Sequence, residues 1–353
     1  MSVNVGLDIG ASAVRAAVVD AGSTRPVLRR YGEMPLPAGA VAAGELLDEA
    51  AVVEAIAALW KRHRLPKRRV ILGLANQRIV VRRIVLPLMD TEELVQSLPF
   101  QVQDLIPIPV EESALDHVPL GDDGDDVADN EQAVLVVAAH RDAVSAMAAA
   151  VRRAGLTVVA VDLQAFALVR SAMPAAPDDD TSGAIVDIGA SMTQIVVARG
   201  GVARFVRILL SGGSDFTAAL VDGLGMTSED AEESKRRVGV IATSSEAAEG
   251  SDGEIQGLLT RKADKFIEEV RGSLLYYEGQ SGGSSVERLV VAGNGARLPH
   301  LANRLGDQLG TRAEPARVFD LVHVGRVKVS ADELQEAQPV LPTAVGLALW
   351  GSR

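Results

Sequence analysis

Asp8-Ile9-Gly10-Ala11-Ser12 returns, letter for letter, as Asp187-Ile188-Gly189-Ala190-Ser191. Each copy brings three chemistries to one place. An Asp at a strand end turns its carboxylate into the following turn, where it can hold the waters of a hard cation such as Mg²⁺. A Gly lets the backbone come close to a phosphate, whose charge successive N–H groups can cradle. A Ser hydroxyl adds a polar group at the same spot. Two such turns facing each other would grip one polyphosphate from both sides.

The flanks of the copies agree. Val3, Val5, Leu7 and Ile9 alternate with Asn4, Gly6 and Asp8, the period of a strand with one buried face, and Val14 to Val19 is apolar apart from Arg15. Around the second copy stand Ile185-Val186 and Ile195-Val196-Val197. Both stretches predict strand, tight turn, strand. Ordinary turn chemistry accounts for either copy alone; the matched pair asks for a shared site.

The elements that must carry these turns follow from pattern. At 353 residues the chain predicts two domains, and 48% hydrophobic with 23% charged residues suits a globular protein with a sizeable core. Aromatics are 3%, so Ala, Val and Leu must fill the interior. The net charge of −12 argues against nucleic acid as a main partner, although three acidic stretches supply much of it. The absence of cysteine excludes disulfides, thiolate zinc sites and cysteine nucleophiles. The chain enters its first strand directly, with no secretory pattern and no long apolar run, which predicts a cytoplasmic protein.

Further strands are expected at 27–34, 70–74, 78–86, 114–120, 133–139, 202–210 and 289–292, and helices at 45–63, 90–105 (with Pro99 inside), 141–153, 212–224, 228–237 and 255–277. The acidic stretches 122–131, 174–183 and 244–254 are expected to be loops, and Lys67-Arg68-Arg69 a solvated strand entry. Gly212-Gly213 opens a helix whose free N–H groups can face an anion. Glu232 and Lys235, three apart, share a helix face and read either as an exposed ion pair or as ligands for ribose hydroxyls or a base edge. Tyr276-Tyr277 read as packing.

The paired turns resemble the phosphate 1 and phosphate 2 motifs of the actin, Hsp70 and sugar-kinase superfamily. Val161-Asp162-Leu163-Gln164-Ala165-Phe166-Ala167 resembles its first connecting helix, Leu289 to Ala296 with Gly293-Asn294-Gly295 its adenosine motif, and Pro342 to Ala348 its closing helix. The block between the first hairpin and Gln164, with Val80 to Pro87 and Val161 to Leu168, resembles the PilM family most and the FtsA family next. This implies an α/β actin-like ATPase (ribonuclease H-like) fold with two lobes. The first would comprise 1–69, 161–180 and 338–353, with a small α+β domain inserted at 70–160. The second would comprise 181–337, with a subdomain at about 222–285.

The resemblance implies ATP or ADP with Mg²⁺ between the lobes. Asp8 and Asp187 would position the metal through water, and Gly10, Ala11, Ser12, Ala13, Gly189, Ala190 and Ser191 would cradle phosphates, with Gly212 and Gly213 near them. Arg15 would add positive charge. Glu232, Lys235, Gly293, Asn294 and Gly295 would seat the nucleoside, and Gln164 would orient the attacking water. An amide in place of the family's usual Glu implies weak or no ATPase activity, because it cannot deprotonate that water. The implied function is a cytoplasmic scaffold of the type IV pilus, or a related secretion machine, held at the inner face of the membrane. Its partner would be the tail of a PilN-like membrane protein, docked around 70–110, with self-association as a further expectation.

An FtsA-like or MreB-like filament former is the alternative, although no membrane-binding tail helix is recognised after Leu349. A small-molecule kinase would need a catalytic Asp and substrate pocket that the sequence does not offer. Gly293-Asn294-Gly295 lacks the third Gly of a dinucleotide fingerprint, Leu298 standing there. No phosphate-binding P-loop motif or paired-histidine zinc motif is present, and no convincing Ser/His/Asp set appears.

Overall fold

The computed structural model describes residues 3–22, 25–66, 69–121, 127–128, 130–174, 181–242, 248–280 and 285–351. Lys67-Arg68 and most of the acidic stretches lie outside them. Strands β1 (Val3–Ile9) and β2 (Ala13–Asp20) form the first hairpin, and β3 (Val27–Pro35) continues it antiparallel. A short hairpin follows, β4 (Val41–Ala42) and β5 (Glu45–Leu46), leading into α1 (Glu49–His63). The helix expected from 45 begins four residues later, because Asp48 accepts the Ala51 N–H as its N-cap and leaves 45–46 to pair as strand. Strand β6 (Arg69–Leu74) then lies parallel to β1.

Strand β7 (Val80–Pro87), helix α2 (Thr91–Val102), strand β8 (Ser113–Pro119) and strand β9 (Glu131–His140) form a separate three-stranded antiparallel unit, ordered β7-β9-β8. Asp90 caps α2 through the Glu93 N–H at 2.8 Å, and the helix runs three residues past Pro99 to Val102 rather than to 105. β9 reads as a continuous apolar run because both its faces are covered. Val134, Val136 and Ala138 pack under Leu94, Leu98 and Val102 of α2, while Leu135 and Val137 pack towards residues after 160.

Helix α3 (Arg141–Arg153) ends where Gly155 takes φ of 85°. Strand β10 (Thr157–Leu163) and helix α4 (Gln164–Ala172) follow. The predicted helix at Val161 to Ala167 is therefore corrected: 161–163 finish a strand and the helix starts at Gln164. The grouping of 70–160 into one insert is corrected too. β6 and β10 pair with each other inside the first sheet, and Met147, Ala148 and Val151 of α3 pack into its core with Val5 and Leu7. Among the described residues the separate unit is the narrower span from β7 to β9.

The second half repeats the first. β11 (Ser182–Ile188), β12 (Thr193–Arg199) and β13 (Val202–Leu209) form the antiparallel meander. Helices α5 (Gly213–Leu224), α6 (Ser228–Val238) and α7 (Gly250–Gln280) intervene, α7 starting five residues earlier than its periodicity suggested. β14 (Arg288–Ala292) lies parallel to β11, and after α8 (Leu301–Leu309) β15 (Ala313–Pro315) lies parallel to β14. The order β10-β6-β1-β2-β3 thus matches β15-β14-β11-β12-β13.

The chain then returns to the first sheet. After α9 (Val318–Leu321), β16 (His323–Val324) pairs with β3, and α10 (Ala331–Ala337) leads to α11 (Leu341–Ala348). Small residues let α11 sit close: a Cβ on Gly346 would lie 1.8 Å from the Ala167 carbonyl oxygen, and one on Gly6 would lie 2.1 Å from that of Ala344. Tyr276 and Tyr277 pack on Phe205, with ring centroids 6.1 and 5.9 Å away. Among the described residues no helix is long and apolar enough to cross a membrane.

Candidate functional site

The two turns meet. Each closes the same way: Gly10 N–H donates to the Ala13 carbonyl at 3.0 Å, and Gly189 N–H donates to that of Met192 at 2.9 Å. A pocket between them is lined by Asp8, Gly10, Ala11, Ser12, Arg15, Gln164, Asp187, Gly189, Ala190, Ser191, Gly293 and Asn294. It shares Ser12, Gly189, Ala190 and Asn294 with a second, roomier cavity of about 280 Å³. Gly213, Ser214, Glu232 and Lys235 line that cavity together with the apolar Phe216, Leu298 and Leu301.

One hydrogen-bonded chain joins the two acids. Gln164 Nε2 donates to Asp8 Oδ1 at 2.9 Å. Gln194 Nε2 donates to Gln164 Oε1 at 3.0 Å and to Asp187 Oδ2 at 3.4 Å. Gln194 Oε1 is buried without a partner among the described residues. Burial pushes the Asp8 carboxyl up to about 6, Glu33 adding to the rise and Arg15 opposing it. Burial, and then the neighbouring Asp8, push Asp187 up to about 7 against Arg15 and Gln194.

Arg15 turns inward. Its Nε donates to Glu33 Oε2 at 2.8 Å and its Nη1 lies 3.9 Å from Asp8 Oδ2. Burial disfavours the guanidinium charge, but Glu33 and Asp8 outweigh it and hold the pKa above the usual value. Its charge is thus largely committed to two carboxylates, which sequence pattern did not foresee.

The Glu232–Lys235 alternatives resolve as geometry. Lys235 is buried, and its Nζ donates to Gly213 O at 3.0 Å, Thr217 Oγ1 at 2.9 Å and Glu232 Oε2 at 2.5 Å. Burial works against the Glu232 charge, but hydrogen bonds from Lys235, Thr217 and Arg236 bring its pKa down to about 2. The pair is an anchored fixture of the cavity lining, with Glu232 held ionised.

Two predicted residues stand elsewhere. Ala13 is a buried residue of β2 whose carbonyl closes the first turn, and it does not line the pocket. Gly212 caps α5, its N–H donating to Asp215 Oδ2 at 2.8 Å; a Cβ there would lie 2.7 Å from the Gly189 and Ala190 carbonyl oxygens. Its role is close approach. Ser191 spends its hydroxyl oxygen on the Ala43 N–H at 3.3 Å. Sequence reading missed Gln194, Glu33, Thr217, Phe216 and the 41–46 hairpin. Only Gln194 carried a signal, standing at the same distance from Asp187 as Arg15 from Asp8.

Cell division protein FtsA of Bacillus subtilis (strain 168) is 23% identical over 296 residues, 77% of this chain and 66% of FtsA, so the chain spans about two thirds of that relative. The solved PilM-PilN type IV pilus biogenesis complex superposes with a TM-score of 0.83 and 30% identity, over 99% of this chain and 98% of that one. MreB5 of Spiroplasma citri bound to ADP superposes with a TM-score of 0.59 at 13% identity, over 98% and 95%. The fold is that of actin-like ATPases. The family model for the type IV pilus assembly protein PilM matches residues 6–352, nearly the whole length, and the chain belongs to the PilM family.

Proposed function

We propose that this chain is a nucleotide-binding scaffold of the type IV pilus platform, taking ATP with Mg²⁺ between its two turns and docking the cytoplasmic tail of a PilN-like membrane protein. The observation that carries the nucleotide is the convergence of two identical acid-and-glycine turns on one pocket, continuous with a cavity lined by both polar and apolar side chains. The partner is supported by family membership and by the likeness to the PilM-PilN complex.

The residues fit the ligand. Backbone N–H groups at 11–12 and 190–191 would hold phosphate oxygens, those of Gly10 and Gly189 closing the turns. Glu232 and Lys235 would meet ribose or base edge, with Phe216, Leu298 and Leu301 against the base. A Cβ on Gly293 would lie 2.8 Å from Asp187 Oδ1, so glycine there leaves the acid room. Among the described residues no group of three acids or histidines could hold a metal directly. That suits an ion reached by Asp8 and Asp187 through its waters, which would supply charge neutralisation to the phosphates.

Gln164 engages both ends of its amide, on Asp8 and on Gln194, and an amide cannot take the proton of an attacking water. Turnover is expected to be slow, with the bound nucleotide acting on shape. The tail would dock between the first sheet and the β7–β9 unit, within about 70–110, keeping the protein at the inner face of the membrane. Titration with a fluorescent ATP analogue tests the site. Asp8→Ala and Asp187→Ala should each weaken binding tenfold or more, about 1.4 kcal/mol; unchanged affinity in both would refute it. Failure of a PilN-tail peptide to retain the full chain would refute the partner.

A further inference from the structure

The β4–β5 hairpin has a strained tip. Ala43 has φ of 48° and Gly44 of 76°, the two left-handed residues that a two-residue type I′ turn requires. Alanine in that conformation costs roughly 1 kcal/mol, and such residues persist where their surroundings over-determine them. Both backbone groups of Ala43 are indeed spent outside the hairpin. Its N–H donates to Ser191 Oγ on the second turn at 3.3 Å, and its carbonyl accepts the Gln77 N–H at 3.3 Å. Gln77 lies on the segment leaving β6 for β7.

That segment is gripped from the same hairpin twice more. A Cβ on Gly44 would lie 1.8 Å from the Ala75 carbonyl oxygen, so the two backbones are in direct contact. The Glu45 carboxylate faces Arg78 at 3.0 Å, two residues before β7 begins. On its other side the hairpin presents Val41 and Gly44 to the pocket between the turns. One short element thus touches the phosphate side of the site, the second turn and the entrance to the β7–β9 unit.

We propose that the 41–46 hairpin is a mechanical link that carries the filling of the pocket to the β7–β9 unit, with Ala43 and Glu45 as its positioning residues. The link rests on the nucleotide reading above. Phosphate entering beside Val41 and Gly44 competes for Ser191 and for the space of the tip. A strained tip held by two opposed hydrogen bonds answers a change at one by shifting at the other. Because such coupling is reciprocal, whatever docks on the β7–β9 unit would change nucleotide affinity by the same factor.

Hydrogen exchange over residues 78–102 of the full chain, with and without saturating Mg²⁺ and a non-hydrolysable ATP analogue, tests the link. In the wild-type protein the nucleotide should change exchange there by about fivefold or more. Glu45→Ala, outside the pocket lining, should bind the analogue within about threefold of wild type yet lose most of that response, and Glu45→Arg with Arg78→Glu should restore it. Ser191→Thr, which keeps the hydroxyl, should respond where Ser191→Ala does not. A full response in Glu45→Ala, or analogue binding by the wild type with no change over 78–102, would overturn the link and leave the site standing. A wild-type chain that takes up no analogue would overturn the nucleotide reading, and the link with it.

Discussion

Asp8 faces Arg15 across its hairpin, whereas Asp187 faces Gln194 at the equivalent register position. Backbone, turn closure and burial of the flanking strands are alike in the two places, so the difference isolates one cross-strand side chain. At the first turn a guanidinium held by Glu33 opposes the cost of burial, and the acid rises to about 6. At the second the other acid adds repulsion, Arg15 opposes from across the site and the neutral amide of Gln194 adds little, and the value rises to about 7. Identical pentapeptides therefore make two unlike half-sites: one anchored by a fixed positive charge, the other readier to gain charge from a ligand's cation.

Removing the cation from the first half breaks the contrast most severely. Arg15→Gln leaves Asp8 and Glu33 facing each other without it, and because Glu33 is partly exposed the loss should be about 2–4 kcal/mol, read as a lowered urea midpoint at pH 7. An unchanged midpoint would show that the ion pair does not distinguish the halves.

The second half should respond with opposite sign. Both acids have folded-state values above their ordinary 3.8. The protonated forms therefore favour the folded state, a contribution fully present below about pH 4 and lost as pH rises through 6 to 7. Asp187→Asn removes the acid that titrates highest. It should stabilise the nucleotide-free protein by about 1–3 kcal/mol at pH 8, with little change at pH 4, while weakening Mg²⁺-dependent nucleotide binding. In the wild type that binding should strengthen between pH 5.5 and 8 as the acids ionise. A flat affinity profile would mean that the carboxylates are not involved.

The smallest effect concerns the bridge between the halves. Gln194→Leu leaves Gln164 Oε1 without its donor in a buried position and should cost about 1–2 kcal/mol. If Gln194→Leu and Asp8→Asn prove additive within about 0.5 kcal/mol, the halves are independent and the amide bridge is incidental.

Much of this was legible in the residues themselves. Repeated letters within alternating flanks specify hairpins because strand period and turn chemistry are local properties. Helix α3 could be bounded from its pattern and from Gly155. Where prediction slipped, a distant partner decided. Val161 to Leu163 finish a strand because β6 offers a hydrogen-bonding edge, and β6 belongs to the first sheet because β1 lies open beside it. Arg15 resembles a phosphate ligand in sequence, but Glu33, directly opposite on the neighbouring strand, claims it.

The sequence by itself determined two acid-and-glycine turns and the strands that hold them, since these depend on spacing along the chain. Only the tertiary structure decided which carboxylate keeps a cation, that Gln164 bridges Asp8 and Gln194, and that the 41–46 hairpin touches both the pocket and the segment entering the neighbouring unit. Those depend on burial and on side chains far apart in the chain, because the charge state of a buried acid follows the solvent and partners it loses or gains on folding.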